Sequence, residues 1–268
     1  MISLQHLTVG YGNKTVLSDI NQTLSRGQMV CLLGTNGIGK STIMRTIAGF
    51  QPPLSGKILL DGHDMSTLTL SQRSKNISVV LTERIEVPYM TVADLVGMGR
   101  SPYTGFFGTL TKEDRTIVSE AIEMVGITSL AQRTIDTLSD GERQKVLLAK
   151  ALAQQTPVIL LDEPTAFLDF HAKVSTLRLM LRLAHETNKT ILLSTHDVEM
   201  AIQLSDILWI VQEGKIFNGT TTSLTESGIL QQFLKAEGIC YDTEEHTLKI
   251  VRTDADLRSS CGNSGPSA

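Results

Sequence analysis

The segment GTNGIGKS, residues 34–41, decides the fold of this 268-residue chain. It fits the pattern G-x-x-x-x-G-K-[ST], in which glycines let backbone N–H groups converge on an anion. The apolar run MVCLL (29–33) precedes the segment, and the helical pattern STIMRTIAGF (41–50) follows it. We therefore expect a buried strand, a glycine-rich loop and a helix whose N-terminus faces phosphate groups.

Lys40 and Ser41 give this loop its chemistry. A lysine in this place reaches the outer phosphates of a nucleotide, and the hydroxyl that follows holds Mg²⁺. The alternative is a glycine-rich turn that matches by accident, which residue frequencies allow in about one chain in a hundred. Because an apolar strand enters the loop and a helix leaves it, the sequence favours a phosphate-binding loop.

A second candidate element is VILLDEP, residues 158–164. Its four apolar residues predict a central strand, and its acids stand at the carboxyl end, where an open α/β sheet has its ligand crevice. Asp162 is predicted to bind Mg²⁺, directly or through water, and Glu163 to activate or orient the attacking water. A strand that ends in solvated acids is the alternative, and the presence of a phosphate loop makes it the weaker one.

Two aromatic side chains are further candidates. His196 follows the strand pattern ILLST (191–195), so the same sheet edge is expected to carry it next to the γ-phosphate. A lone histidine at a strand end is more often structural, and only the other motifs favour a catalytic role. Tyr11 stands between two glycines and is predicted to stack on a base, with an aromatic turn residue as the alternative.

The segment LSDGERQK, residues 138–145, precedes the apolar helix pattern VLLAKALAQQ. Ser139 and Glu142 are three residues apart, which is the spacing of a capping box. Gly141 lies inside the first turn, where a simple cap does not need it. Since a helix N-terminus beside a glycine and a serine also favours an anion, a local cap and a ligand site are both open interpretations.

The composition of the chain excludes several classes of protein. The hydrophobic fraction is 41%, the charged fraction is 19% and the formal net charge is −4 with no dense basic run, which together predict a globular protein without a nucleic-acid partner. Cys31, Cys240 and Cys261 are far apart and predict neither a disulfide framework nor a zinc site. No run of about 18 apolar residues occurs, so no membrane-spanning helix is expected.

The order of the patterns predicts an α/β fold. Residues 1–65 hold mostly strand and turn patterns, residues 91–155 mostly helical ones, and strands then alternate with helices. Such alternation implies a mostly parallel sheet covered by helices. Near the C-terminus, HTLKIV (246–251) is a candidate strand, and CGNSGPSA (261–268) is predicted to be disordered.

The motifs follow one another as GTNGIGKST, LSDGE, ILLDEP, AFLD and STHD, and this set resembles the ATP-binding-cassette (ABC) ATPases. The resemblance covers about residues 1–235, and LSDGE separates it from other P-loop folds such as RecA-like or AAA+ ATPases. The segment GRSPYTGFFGTLTKEDR (99–115) looks like the subgroup that powers import of ferric siderophores, haem and cobalamin.

The fold that this resemblance implies is an α/β P-loop NTPase of the ABC type. It has a mixed sheet core, an N-terminal antiparallel β subdomain and a helical subdomain. The implied ATPase domain spans residues 1–238, with the helical subdomain at about 83–155. Residues 239–268 would form a C-terminal tail.

The resemblance also implies the residues of the site. Two copies of the chain would pack head to tail around two ATP molecules with Mg²⁺, and Tyr11 would stack on adenine. Residues implied to contact nucleotide are Tyr11, Gly34, Thr35, Asn36, Gly37, Ile38, Gly39, Lys40, Ser41, Thr42, Ser139 and Gly141. Residues implied to act in hydrolysis are Lys40, Glu163 and His196, those for Mg²⁺ are Ser41 and Asp162, and those between the copies are Phe167, Leu168 and Asp169.

Two positions depart from the family pattern. The signature usually reads LSGGQ, whereas Asp140 and Glu142 replace a glycine and the glutamine here. Ser139 and Gly141, which make the implied phosphate contact, are kept. Family members commonly carry a glutamine where Thr82 stands, and that glutamine usually touches Mg²⁺ or the attacking water and senses the membrane partner. Thr82 therefore has no assigned role.

The implied function is ATP binding and hydrolysis for an importer of an iron chelate, a ferric siderophore. The chain would lie peripherally on the cytoplasmic face of the inner membrane. Its partners would be a second copy, a separate integral membrane permease and, through the complex, a substrate-binding protein. Alternatives are a haem or cobalamin importer ATPase, a soluble ABC ATPase of translation or DNA repair, and a regulatory module with little turnover. Lys40 and Glu163 argue against the last.

Overall fold

The computed structural model of the chain describes residues 1–81, 89–105, 108–235, 238–242, 245 and 247–250. Its strands are β1 (Ile2–Tyr11), β2 (Lys14–Leu24), β3 (Met29–Leu33), β4 (Ser55–Leu60), β5 (His63–Asp64), β6 (Ile77–Val80), β7 (Val158–Leu161), β8 (Thr190–Ser194), β9 (Ile207–Gln212), β10 (Lys215–Gly219), β11 (Ile239–Asp242) and β12 (Thr247–Ile250). Its α-helices are α1 (Lys40–Ile47), α2 (Leu70–Ser74), α3 (Val92–Gly97), α4 (Lys112–Met124), α5 (Asp140–Ala153), α6 (Phe170–Thr187), α7 (Val198–Leu204), α8 (Thr221–Glu226) and α9 (Ile229–Lys235).

The central sheet has the strand order β10-β9-β3-β8-β7-β6. All of its strands run parallel except β10, which returns antiparallel to β9 after a turn at Glu213 and Gly214. Every residue of β3, β7 and β8 is buried, as expected of strands covered on both faces. Because these strands share one direction, the residues that follow them meet at one edge of the sheet. The predicted α/β fold with a mostly parallel sheet is confirmed.

Alternate residues of β3 serve two different cores. Val30 and Leu32 face an antiparallel sheet with the order β2-β1-β4-β5 and helix α1. Cys31 and Leu33 face the helices on the other side. This division follows from the side-chain period of two in a strand, and it places the loop after Leu33 between the two layers.

Trp209 lies in the core under the antiparallel sheet. It is the single tryptophan of the chain and is 0% exposed. It stands in β9, opposite Leu32 of β3 in the register of the two strands. Its Nε1 has no hydrogen-bond partner among the described residues.

Arg100 connects three helices on the other side of the sheet. It follows α3, its Nε donates a hydrogen bond to Oδ1 of Asp114 in α4 at 2.9 Å, and its Nη1 donates to the carbonyl oxygen of Ala153 in α5 at 2.8 Å. The ring of Tyr103 covers the guanidinium at 4.1 Å. Hydrogen bonds from Thr111 and from the Arg100 guanidinium lower the pKa of Asp114 to about 2. The segment that follows α3 is therefore held to α4 by a buried ion pair and to α5 by a hydrogen bond.

Several short elements were missed by the sequence analysis, namely β6, β11, α2, α8 and α9. They are too short for hydrophobic periodicity to identify them. Cys31 is a buried free thiol, whereas Cys240 is disulfide-bonded, which the cysteine spacing did not predict. Thr82 and the predicted disordered end at 261–268 lie outside the described residues.

Within the described ranges, no helix has the length and apolar character that crossing a bilayer requires.

Candidate active site

The loop between β3 and α1 follows a path that requires glycine at two positions. Gly37 and Gly39 have positive φ angles of 75° and 118°, a region that residues with a Cβ disfavour. A Cβ on Gly39 would also lie 2.5 Å from Cγ1 of Val16 in β2. Gly39, one of the two glycines that define the motif, is thus explained by the backbone, which leads directly into α1 at Lys40.

The start of α1 concentrates positive potential. Gly39 is its N-cap without a side-chain hydrogen bond, and the first turn holds no acidic residue. The side chain of Lys40 is buried, and its Nζ donates hydrogen bonds to the carbonyl oxygens of Gly34 at 2.7 Å and Thr35 at 3.2 Å. Because a helix N-terminus and an ammonium group stand at one loop, the arrangement favours a phosphate ligand.

Tyr11 lies at the end of β1, beside this helix start. Oγ1 of Thr42 donates a hydrogen bond to the tyrosine oxygen at 3.4 Å, and half of the tyrosine surface is exposed. Asn36 in the loop is also exposed. An accessible aromatic ring next to a phosphate loop is suited to stacking on the base of a nucleotide.

Asp162 follows β7 and meets two hydroxyl groups. Its Oδ1 accepts hydrogen bonds from Oγ of Ser194, the last residue of β8, at 2.7 Å and from Oγ of Ser41 in α1 at 3.4 Å. Carboxylate and hydroxyl oxygens are ligands that Mg²⁺ prefers, and neighbouring ligands of an octahedral Mg²⁺ lie about 3 Å apart. The spacing and chemistry of Ser41 and Asp162 therefore fit Mg²⁺.

Glu163 has an uncommon backbone conformation, with a φ of 48° directly before Pro164. Its N–H donates a hydrogen bond to Oγ of Ser194 at 2.9 Å. Its Oε1 shares a hydrogen bond with Nε2 of His196, which lies two residues beyond β8. Both side chains of this pair are partly exposed, so water can reach the carboxylate.

Two N–H groups at the start of α5, those of Ser139 and Glu142, are hydrogen-bonded within the first turn. Oγ of Ser139 accepts a hydrogen bond from the Glu142 N–H at 3.3 Å, and the Glu142 carboxylate accepts from the N–H and Oγ of Ser139 at 2.8 and 2.9 Å. These hydrogen bonds from Ser139 lower the pKa of Glu142. Among the described residues, the side chain of Ser139 hydrogen-bonds with Glu142 alone. The predicted capping box is confirmed.

Gly141 has no requirement for glycine within its own chain. A Cβ there would meet Cβ of Ala172 in α6 at 3.7 Å, which is ordinary van der Waals contact. Its φ is not positive. Neither strain nor crowding in the described structure explains a glycine in this helical turn.

The structure thus brings one group of predicted residues together and leaves another apart. Lys40, Ser41, Asp162, Glu163 and His196 stand at the carboxyl edge of the central sheet. The start of α5, residues 138–145, is not part of this group. Its polar side chains Ser139 and Glu142 hydrogen-bond with each other. Sequence reasoning missed Ser194, and the signal was a polar residue that ends the apolar strand ILLS.

This fold and this site define a P-loop ATPase. The family model described as ABC transporter matches residues 17–166, which is more than half of the chain. The chain belongs to the ABC transporter family, as an ATP-binding and ATP-hydrolysing component.

Two relatives are import ATP-binding proteins by name. The iron(3+)-hydroxamate import ATP-binding protein of Bacillus subtilis is 35% identical over 258 residues, which are 96% of this chain and 95% of that protein. The cobalamin import ATP-binding protein of Halobacterium salinarum is 37% identical over 210 residues, which are 78% of this chain and 52% of that protein. The resemblance to the importer subgroup is confirmed.

Two solved structures agree with this fold. An ABC transporter assigned to the metal-chelate type, in an inward-facing conformation, has a TM-score of 0.76 and 28% identity, with 87% of this chain and 88% of that chain covered. A dimeric bacterial ABC transporter cassette has a TM-score of 0.70 and 25% identity, with 82% and 99% covered.

Proposed function

We propose that this chain binds and hydrolyses ATP to energise import of a ferric siderophore through a separate membrane permease. The observation that carries the proposal is the meeting of Lys40, Asp162, Glu163 and His196 at one sheet edge. The cargo class is supported by the hydroxamate import relative, which is similar over nearly the whole chain.

The chemistry follows from the groups at this edge. Backbone N–H groups of residues 34–42 and the ammonium group of Lys40 stabilise negative charge on the γ-phosphoryl group. A water oxygen forms a bond to the γ-phosphorus while the bond to the β–γ bridging oxygen breaks, and ADP leaves. The carboxylate of Glu163 orients this water and accepts its proton. His196 holds that carboxylate through its Nε2 and is proposed to contact the γ-phosphate.

Ser41 and Asp162 are the residues that would hold Mg²⁺. When bound, Mg²⁺ neutralises charge on the β- and γ-phosphate oxygens. The two side chains come from different elements, α1 and the end of β7, and their oxygens lie 3.4 Å apart. Tyr11 is half exposed beside α1, which supports its proposed stacking on adenine.

A second copy of the chain would complete the site. Ser139 and Gly141 of one copy are proposed to contact the γ-phosphate that the other copy holds, and a glycine that its own chain does not need supports this contact. Phe167 and Phe170, on either side of Asp169, are 57% and 66% exposed. Large exposed apolar side chains of this kind mark interaction surfaces, and the dimeric cassette is a structural precedent.

The remaining assignments belong to the same proposal. An ATPase domain spans residues 1–238, with a helical subdomain at about 83–155. The chain lies on the cytoplasmic face of the inner membrane, bound to its permease, and a substrate-binding protein delivers the cargo. The net charge of −4 without a basic run supports the absence of a nucleic-acid partner.

Reconstitution of the chain with its own permease in lipid vesicles tests this function. ATP hydrolysis is measured with binding protein that is empty or loaded with ferric siderophore, haem or cobalamin. We expect ferric siderophore to stimulate hydrolysis most. Stimulation by haem or cobalamin alone would support the importer function but contradict ferric siderophore as the cargo. Hydrolysis that no loaded binding protein stimulates would overturn the importer and favour a soluble ABC ATPase.

A further inference from the structure

Ser194 joins the two acidic residues of the site through one hydroxyl group. It ends β8 and is 0% exposed. Its Oγ donates a hydrogen bond to Oδ1 of Asp162 at 2.7 Å and accepts one from the N–H of Glu163 at 2.9 Å. Because a hydroxyl has a single proton to donate, that proton is committed to Asp162 and a lone pair to Glu163.

The backbone of Glu163 depends on such a partner. Its φ of 48° lies in the left-handed region, and residues other than glycine stay there only where neighbouring groups hold them. Its N–H is held by Ser194, and its carbonyl oxygen accepts a hydrogen bond from the N–H of Ala166 at 3.2 Å. In this conformation the Glu163 carboxylate reaches His196.

The orientation of Asp162 depends on the same hydroxyl. Strands β7 and β8 are neighbours, with Leu161 paired to Leu193, so the residues that follow Leu161 stand next to Ser194. The bond of 2.7 Å to Ser194 is shorter than the contact of 3.4 Å to Ser41. Carboxylates that bind metals are commonly aimed by a second hydrogen-bond partner of this kind.

We propose that Ser194 is a positioning residue for ATP hydrolysis, because its hydroxyl fixes the carboxylate of Asp162 and the backbone of Glu163 together. It acts through these two groups and touches neither ATP nor the attacking water. This inference rests on the proposed function, in which Asp162 holds Mg²⁺ and Glu163 activates water.

The variant Ser194→Ala, made in the full chain, tests the proposal. We expect kcat to fall about 10–100-fold, the usual effect of removing such a supporting contact, with little change in the KM for ATP. Calorimetry of ATP binding should give the parent Kd without Mg²⁺. With Mg²⁺, a higher Mg²⁺ concentration should be needed for half-maximal binding, since Asp162 is no longer aimed.

Ser78 in β6 provides a matched control. It is 1% exposed, and its Oγ donates to the carbonyl oxygen of Val158 at 3.4 Å and accepts from Oγ1 of Thr156 at 3.0 Å. The variant Ser78→Ala therefore also removes a buried hydroxyl from the central sheet. We expect it to lower the Tm and to leave kcat at the parent value. If Ser194→Ala does not fold, Ser194→Cys replaces it, because cysteine keeps the size and donates weakly.

Three outcomes would overturn the inference. One is a parent-like kcat in the folded Ser194 variant, and another is an equal loss of kcat in Ser78→Ala. The third concerns Ser194→Ala made in the Glu163→Gln variant. Because Ser194 is proposed to act partly through Glu163, the loss of kcat should be smaller there than in the parent. A full, additive loss there would contradict the proposal.

The proposed function is tested separately by Glu163→Gln alone. Parent-like turnover of that variant would remove Glu163 as the base, and the proposed mechanism of hydrolysis, on which this inference rests, would fail. Strongly reduced turnover of Glu163→Gln together with parent-like turnover of Ser194→Ala would overturn only the role of Ser194.

Discussion

Two helix starts carry nucleotide motifs in this chain, and they are completed in different ways. Helix α1 begins after Gly39, with no capping side chain and no acid in its first turn. Helix α5 begins after Ser139, with a complete capping box and with Asp140 and Glu142 in its first turn. The first leaves its N–H groups to a ligand, whereas the second satisfies two of its N–H groups, those of Ser139 and Glu142, within the chain.

This difference teaches that a ligand at α5 competes with an existing cap. The hydroxyl of Ser139 donates to Glu142 at 2.9 Å and has to turn away from it to reach a phosphate. The carboxylate of Glu142 also places negative charge near that phosphate. We therefore expect α1 to hold ATP within one copy, and α5 to engage it only when a second copy presents the nucleotide.

The largest expected effect comes from Glu163→Gln. This variant should stop hydrolysis at the stage where ATP is bound by α1 of one copy and α5 of the other. Loss of the general base should lower kcat by about 10²–10⁴-fold. ATP should then hold two copies together, because the interface is no longer released by hydrolysis. Steady-state ATPase assays and size-exclusion chromatography with and without ATP measure the two effects. Low turnover without any ATP-dependent dimer would contradict the role given to α5.

The next effect is expected from Ser139→Ala. Loss of a hydrogen bond to a charged phosphate should lower ATPase activity about 10–100-fold, whereas ATP binding to the single copy should stay close to the parent. ATPase assays and calorimetric titration separate these quantities.

Thr69→Ala is the matched control for this variant. Thr69 caps α2 through the same kind of capping box, with Gln72 as its partner, so this change also removes a cap worth about 1 kcal/mol. ATPase activity should remain at the parent level. If both variants lose activity alike, the serine of α5 is only a cap.

A smaller effect is expected from Gly141→Ala. The added methyl group meets only Ala172 at 3.7 Å, and alanine favours a helix by about 1 kcal/mol over glycine, so stability should be unchanged or higher. Activity should fall about tenfold if the methyl group crowds the nucleotide of the second copy. Thermal unfolding by circular dichroism and ATPase assays give the two results.

Gly99→Ala should behave in the opposite way. A Cβ on Gly99 would lie 2.3 Å from the carbonyl oxygen of Lys150, so the variant should be destabilised. The activity of its folded fraction should stay near the parent. A stable, fully active Gly141→Ala would remove the argument for a ligand at α5.

The smallest effect is expected from Glu142→Gln, which keeps a capping box and removes one negative charge. ATP-dependent association of two copies should strengthen about two- to fivefold, the usual size of a single charge effect at a helix N-terminus. Because hydrogen bonds from Ser139 lower the pKa of Glu142, the parent carboxylate stays ionised at neutral pH. Sedimentation measurements should therefore give the same ratio of the variant's association constant to the parent's at pH 6 and pH 8. A ratio that falls to about one at pH 6 would contradict this explanation.

The sequence predicted the α1 half of the site because its chemistry is local. The residues of loop 34–41 are consecutive, and Gly37 and Gly39 are required by the path of the backbone. Ser194 was missed because its partners, Asp162 and Glu163, are 32 and 31 residues away and meet it only through the pairing of β7 with β8. For the start of α5 the sequence does not decide between a cap and a phosphate site, because both use Ser139.

The larger fold was predictable for a similar reason. Apolar runs such as those of β3, β7 and β8 are unambiguous, and their alternation with helices implies a parallel sheet. The short helices α2 and α8 could not be predicted in this way. Six residues or fewer complete too few turns to show a helical period of apolar residues. The buried pair of Arg100 and Asp114 joins residues 14 positions apart and becomes recognisable only once α3, α4 and α5 are packed.

Trp209 has a spectroscopic consequence. It is the single tryptophan, is fully buried, and pairs in register with Leu32 just before the phosphate loop. Tryptophan fluorescence therefore reports on one known position in the core. Its emission should move to longer wavelength only when that core opens to water. The unfolding of each variant can thus be followed optically without a dye, on the same sample in which phosphate release is measured.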